Sequence, residues 1–366
     1  MQADGAPRRR RRTATLVAGA VLAAAAALGS SGCSSVGYYA QSIGGHVALL
    51  RQARPVDDWL ADPATPPALR ERLQLAQQIR AYAVSALALP DNASYRRYAD
   101  LGRNAAVWNV VAAPELSLTL KTWCYPVMGC AGYRGYFDRA AAEQEAQALR
   151  REGWEAWVYG VPAYSTLGWT NWLGGDPLLN TFVRGSEAEL ARLVFHELAH
   201  QVAYAPGDTE FNESYATAVE QLGLARWQRE ARRPPEDPAI AQRRADFRAL
   251  TRRARAELRT LYASGRPEAE QRAAKAAILA ALRSAHEQLK QGGHPAWAGF
   301  TGYDTWFAQA NNATLALQAS YDGLVPAFER LFEREGRDFA RFHAAVQGLA
   351  ALPRDERHAT LRALVP

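Results

Sequence analysis

Two histidines four positions apart, with a glutamate directly after the first, are the residues of this chain best suited to chemistry. They stand in His196-Glu197-Leu198-Ala199-His200. On a helix, residues four apart lie on one face, so both imidazoles can meet one tetrahedral zinc ion (Zn2+). Glu197 falls on the adjacent line of the same helix, where it can take a proton from a water that the metal activates. The pattern counts only if the segment is helical. Ser186 and Glu189 make a capping-box pattern just ahead of it, and Leu190, Leu193, Val194 and Leu198 supply a core face. The chain has only 7 histidines, and two fall at this spacing, which favours a metal over a chance match.

A catalytic zinc takes three protein ligands and keeps one position open. After His200 the chain turns through Tyr204-Ala-Pro-Gly-Asp208, and a second helix begins at Asn212-Glu213-Ser214-Tyr215-Ala216. Glu213 and Glu220 are both available on it, seven apart and nearly on one face. Asp208 and Glu210, in the turn, are weaker candidates. Tyr204, four residues beyond His200, and Tyr215 on the second helix are candidate oxyanion donors, though each also reads as a core tyrosine.

The elements that must carry these residues read as α, then β with an α insertion, then α. A helix runs from Pro66 to about Leu89, strands are expected over Ala105–Ala112, Leu116–Trp123 and Trp154–Val161, and a helix over Asp138–Arg151. Tyr164–Leu179 is a loop dense in Gly, Trp and Pro. From Ser186 the chain is helical, with a long antiparallel hairpin over Ile240–Ala263 and Pro267–Lys290, then helices at Thr305–Ser320, Val325–Glu335, Arg337–Leu349 and Pro353–Leu364. The fold class is α+β: a small antiparallel or mixed sheet packed on a zincin-like metal helix, followed by a mainly helical C-terminal half.

The N-terminus points to export. Arg8 to Arg12 precede an apolar stretch from Leu16 to Leu28, a basic n-region and a short h-region of a signal peptide. Ser30-Ser31-Gly32-Cys33 resembles a lipobox, which makes Cys33 the lipidated residue and the membrane anchor. Residues 1–32 take +4 of the formal +6 with them, five Arg and one Asp, and leave +2. That balance gives no case for nucleic acid. With Cys33 lipidated, Cys124 and Cys130 remain as a pair, and an oxidising compartment lets them form a disulfide. The organisation expected is a signal peptide at 1–32, a lipid-anchored segment at 33–65, a core at 66–233 and a helical region at 234–366.

His196–His200 followed by Phe211-Asn212-Glu213-Ser214-Tyr215-Ala216 resembles the gluzincin metallopeptidases. That resemblance implies Glu213 as third ligand and leaves Glu220 as a supporting residue. A wider resemblance, to a bacterial family of putative zinc aminopeptidase lipoproteins, rests on Val36-Gly37-Tyr38-Tyr39, Trp123 to Cys130, Tyr133 to Phe137, Tyr164 to Trp169, Asp176 to Leu179, Asn311-Asn312-Ala313 and Tyr321 to Phe328. It implies Tyr321 as an oxyanion donor. In gluzincins an edge strand ahead of the metal helix binds the substrate backbone, a place that Tyr164, Ser165 and Thr166 fit, by strand addition. Aminopeptidases of that group hold the substrate's α-amine with a glutamate on the same strand. Here no acidic residue occurs between Ala156 and Gly175, so Asp176, Glu155 or a residue folded in from afar must serve, and Asp176 in its Gly-Gly-Asp-Pro turn is the choice.

The resulting expectation is a zinc peptidase of the cell envelope, lipid-anchored and facing the periplasm. Its substrate is a peptide, and aminopeptidase is favoured over endopeptidase. From another class, the alternative is a zinc-holding scaffold or chaperone that does not cleave.

Overall fold

The computed structural model describes residues 37–39, 41–125, 129–163, 174–233 and 235–365. Residues 1–32, expected to be a signal peptide, Cys33 and Tyr164 to Thr166 lie outside them. Residues 1–49 form a unit of their own, helical over its described part, and residues 50–366 form a second unit. Among the described residues no helix is long and apolar enough to cross a membrane.

The second unit begins with β1 (Arg54–Pro55), α1 (Val56–Ala61), α2 (Pro67–Leu87) and β2 (Arg97–Ala99). Then come β3 (Val107–Pro114), β4 (Trp123–Tyr125), β5 (Gly129–Ala131), β6 (Arg134–Tyr136), α3 (Arg139–Arg151), β7 (Trp154–Val161), β8 (Leu178–Leu179) and α4 (Asn180–Val183). The helical half holds α5 (Glu187–His200), α6 (Thr209–Glu230), α7 (Pro238–Tyr262), α8 (Glu268–Gln291), α9 (Asp304–Ala308), α10 (Asn312–Asp322), α11 (Val325–Arg334), α12 (Phe339–Ala350) and α13 (Arg354–Arg362). This is an α+β fold with small sheets and a mainly helical C-terminal half.

Strand β3 is the centre of the main sheet, antiparallel to β6 on one side and to β7 on the other. Its residues are almost all buried, because α3 and α10 both pack against it. A second small sheet pairs β2 with β1 antiparallel and with β8 parallel. The β4–β5 hairpin sets Cys124 opposite Cys130, and their sulfurs are bonded.

Helix α10 also packs on α6 and so joins the sheet to the helical core. Its entry is pinned by a buried polar node. Glu155 of β7 accepts from the Asn312 amide at 2.7 Å and from Lys275 of α8. Asn312 in turn donates to the Glu115 carbonyl at 2.8 Å, as Lys275 does at 2.7 Å.

Two expected elements differ. Leu116–Trp123 is not a strand until Trp123: the chain turns after β3, and its alternating leucines serve two places, Leu118 the α7–α8 hairpin core and Leu120 the sheet face. The helix expected over Thr305–Ser320 is broken in two. Asn311 forms a capping box with Thr314, which starts a new helix at Asn312.

The C-terminal helices close over α2 and α6 through one buried histidine. His343 of α12 hydrogen-bonds the Leu87 carbonyl through Nε2 at 2.9 Å and faces the Tyr215 hydroxyl with Nδ1 at 2.8 Å. Burial pushes this imidazole down to about 4. The unfolded chain, with an ordinary histidine, therefore binds a proton that the folded one refuses between about pH 6.5 and 4. Stability is complete above pH 6.5 and falls as pH drops toward 4, by roughly 3 kcal/mol from this residue. Urea unfolding of wild type and His343→Gln at pH 7 and pH 4.5 checks this. The variant is expected to lose less on acidification, and equal losses would count against it.

Candidate metal centre

Helix α5 starts where its sequence says it should. The Ser186 hydroxyl accepts from the Glu189 amide and the Glu189 carboxylate accepts from the Ser186 amide, closing the capping box. Leu190, Val194 and Leu198 are fully buried, which fixes the rotation of the helix and turns His196, Glu197 and His200 to one side. Helix α6 is capped by Asp208, whose carboxylate accepts from the Phe211 amide. Asn212 clamps the intervening turn by bonding both the amide and the carbonyl of Ala205, at 2.7 and 2.9 Å. Gly223 lets the helices close up, since a side chain there would meet Leu87 at 2.8 Å and Phe195 at 3.0 Å.

This pairing brings His196, His200 and Glu213 together. Nε2 of His196 lies 3.2 Å from Nε2 of His200 and 3.2 Å from Oε2 of Glu213; the His200–Glu213 edge is 3.6 Å. Ligands at 2.0–2.1 Å around a tetrahedral ion are about 3.3 Å apart. The donor set, two imidazoles and a carboxylate, thus has both the chemistry and the spacing to hold zinc. Burial alone would raise the Glu213 carboxyl, but the two imidazoles hold it well below the usual range. Burial likewise opposes charge on His196, yet Glu213 and Glu220 outweigh it and hold the imidazole well above its ordinary value. A bound dication would take over that positive charge, with His196 neutral.

The supporting contacts are unequal. Nδ1 of His196 is 3.1 Å from Oε2 of Glu220, which fixes its ring and leaves Nε2 to the cluster. Glu220 is therefore on the far side of His196 from the donor triangle. Nδ1 of His200 is buried without a hydrogen-bond partner among the described residues. Among the described residues Glu197 makes no side-chain hydrogen bond or ion pair, and it is half-buried. Asp208 and Glu210 do not join the cluster; Asp208 is taken by Arg357 and His358.

The wall of the site is aromatic. Tyr321 of α10 lies along His196, ring centres 6.5 Å apart and 24° from parallel. Tyr133 and Tyr159 pack with it against Val111, Ala113, Ala313 and Leu317. Burial, then the charge of Glu213 among others, raises the phenols of Tyr321 and Tyr133 far above the ordinary value. Tyr204 is raised by burial and Glu213 too. Tyr215 is not part of the wall, because its hydroxyl is bonded to His343. Sequence reasoning missed Tyr133 and Tyr159. The one available signal for Tyr159 was strand alternation, which stacks it on Trp157 at 4.7 Å.

Of the proposed amine anchors, Glu155 belongs to the node with Lys275 and Asn312. Asp176 does not project into an open cleft but is 1% exposed. The reason is Gly175, with φ +65°, where any side chain would fall 2.5 Å from the Ser94 amide. The chain there lies flat on residues 93–95, and the Tyr95 amide donates to the Asp176 carbonyl at 2.7 Å. Tyr95 is itself buried, with φ +63°. After burial, the charges of Glu197 and Asp176 raise its phenol well above the ordinary value.

A family model described as Putative aminopeptidase matches residues 37–361. No curated protein and no solved structure matches the chain.

Proposed function

The chain belongs to the Putative aminopeptidase family, and from that premise we propose that it is a zinc-dependent peptidase whose ion is held by His196, His200 and Glu213. The observation that carries this reading is the triangle of donor atoms, with edges of 3.2, 3.2 and 3.6 Å, beside the uncommitted carboxylate of Glu197. When bound, zinc polarises the scissile carbonyl and makes the attacking water acidic enough to ionise near neutral pH.

The chain's own residues do the rest. Glu197 accepts the proton of the attacking water and returns it to the leaving amine. Tyr321 donates a hydrogen bond to the carbonyl oxygen as charge develops on it; its raised phenol stays protonated, and hence a donor, through neutral pH. Glu220 holds the His196 ring in place. Tyr133 and Tyr159 exclude water from one side. Tyr164, Ser165 and Thr166, next along the chain from β7, would take the substrate backbone by strand addition. Lipid on Cys33 would keep the enzyme at the envelope membrane, facing the periplasm.

Aminopeptidase action requires a carboxylate for the substrate's ammonium, because a buried charge left unpaired costs several kcal/mol. Neither acid that the sequence offers stands in an open cleft: Asp176 is 1% exposed and Glu155 is held by Lys275 and Asn312. The scaffold alternative leaves Glu197 without a purpose. The test uses the mature protein on free-amine and N-acetylated peptides, with chelator and with zinc restored. Expected are loss of cleavage with chelator, recovery with zinc, and a preference of about 10²-fold or more for the free amine. Equal rates on both peptides would make it an endopeptidase, and zinc-loaded protein that cleaves neither would leave the scaffold.

A further inference from the structure

The imidazole of His196 is the inner end of a chain of alternating charges that leaves the site and ends on a different helix. Glu220 meets His196 with one oxygen. Its other oxygen, Oε1, lies 3.7 Å from Nη1 of Arg192. Nη2 of Arg192 is 3.2 Å from Oε2 of Glu236, and Oε1 of Glu236 is 2.5 Å from Nη1 of Arg244. Arg192 stands one turn before His196 on the same face of α5. Its Nε makes no hydrogen bond among the described residues, so two carboxylates alone set where this guanidinium sits. The side chains of Arg192, Glu220 and Glu236 are only 19%, 22% and 12% exposed, which shields them from the screening that makes surface pairs weak.

The outer end of the chain is rigidly placed. Glu236 lies in Pro235-Glu236-Asp237-Pro238, directly before α7. Asp237 caps α7 by accepting from the Ala239 amide, and Pro238 opens the helix. Arg244 lies within α7, so Glu236 is held by the helix whose start it marks. The position of α7 therefore fixes Glu236, Glu236 fixes Arg192, and Arg192 aims the carboxylate that orients His196.

We infer that Arg192 and Glu236 are positioning residues for the metal ligand His196, acting through Glu220, and that they couple zinc affinity to the seating of helix α7 on the core. This rests on the zinc reading above. Loss of a group that orients a metal-binding histidine costs 10- to 100-fold in metal affinity in general, and the effect should weaken outward along the chain. Coupling of this kind is reciprocal: if a seated α7 tightens zinc, zinc must also hold α7 in its seat.

The experiment measures the zinc dissociation constant by competition with a chromophoric chelator, on the full mature protein. Arg192→Gln is expected to weaken zinc about 10-fold or more, and Glu236→Gln about 3-fold. The double variant should bind within about 2-fold of Arg192→Gln alone, since Glu236 acts only through Arg192. Arg253→Gln, which removes an exposed pair with Glu257 on the same helix, should change nothing. In parallel, zinc should slow amide hydrogen exchange over residues 239–245 in wild type and not in Arg192→Gln. Should Arg192→Gln fold poorly, Arg192→Lys, which keeps the charge without the two-pronged fork, must show the same direction. Wild type that binds zinc while the variants match it, or zinc that leaves the exchange of α7 untouched, overturns the coupling and leaves the peptidase reading intact. Wild type that takes up no zinc overturns both.

Discussion

Replacing Glu197 by glutamine is expected to leave the protein able to take up zinc and to lower peptide turnover by about 10²- to 10⁴-fold, the range a general base contributes. The variant keeps the shape and the hydrogen-bonding reach of the side chain and removes only its capacity to hold a proton. Nothing structural depends on the carboxylate, which pairs with no described residue, so thermal stability should hardly move. His196→Ala behaves in the opposite manner. It removes one corner of the donor triangle and the imidazole that both Glu213 and Glu220 meet, so metal content should drop together with activity. Metal analysis beside a peptidase assay separates the two. A Glu197→Gln protein that cleaves at the wild-type rate would remove this residue from the mechanism.

The second large effect is expected in stability. Arg357 of α13 is 5% exposed and Asp208 is 2% exposed, with Nη1 and Oδ2 2.5 Å apart. Arg357 also donates to the Leu349, Ala350 and Leu352 carbonyls at the end of α12. Arg357→Met should cost about 3–5 kcal/mol, the loss typical when one partner of a buried pair is removed and the other is left charged in the interior. Burial works against the Asp208 carboxylate, but His358, the Phe211 amide and Arg357 overcome it and hold its titration below the ordinary range. Its contribution is therefore present above the ordinary carboxyl range and lost as pH falls through the lower folded-state value. Pairing Arg357→Met with Asp208→Asn should restore part of the loss, since asparagine still caps a helix and brings no charge. Denaturant curves of the two single variants and the double give the coupling; a loss below 1 kcal/mol for Arg357→Met would refute the assignment.

Helix α5 was the most legible part of the chain because every level of its sequence agrees. Its cap, its apolar stripe and its histidine spacing all specify one helix in one rotation, and the structure has that helix. Trp154–Val161 was legible as a strand for the same reason. What could not be read was whatever depends on register between distant segments. Tyr159 reaches the site only because β7 pairs with β3 so that Asn109 faces Tyr159. Tyr133 arrives by way of the neighbouring β6. The break before Asn312 is local capping chemistry that outweighed a continuous apolar pattern, helped by the backbone bonds that Asn312 makes to the end of β3. Asp208 looked like a spare acid in a turn; its real partners, Arg357 and His358, lie about 150 residues away. The expectation of Asp176 in an open cleft failed on one glycine, whose close backbone approach folds the turn inward.

The donor triangle spans only residues 196 to 213 and is built from two helices joined by a short turn, whereas Tyr321 comes from more than a hundred residues further along. Short-range contacts form fast, and long-range ones wait for larger loops to close. On a ribosome the order is stricter, because α10 is not yet synthesised when α5 and α6 have already emerged. The growing chain thus owns all three candidate donor residues, and Tyr133 and Tyr159 beside them, well before it owns Tyr321, and the time between the two is written into the order of its elements.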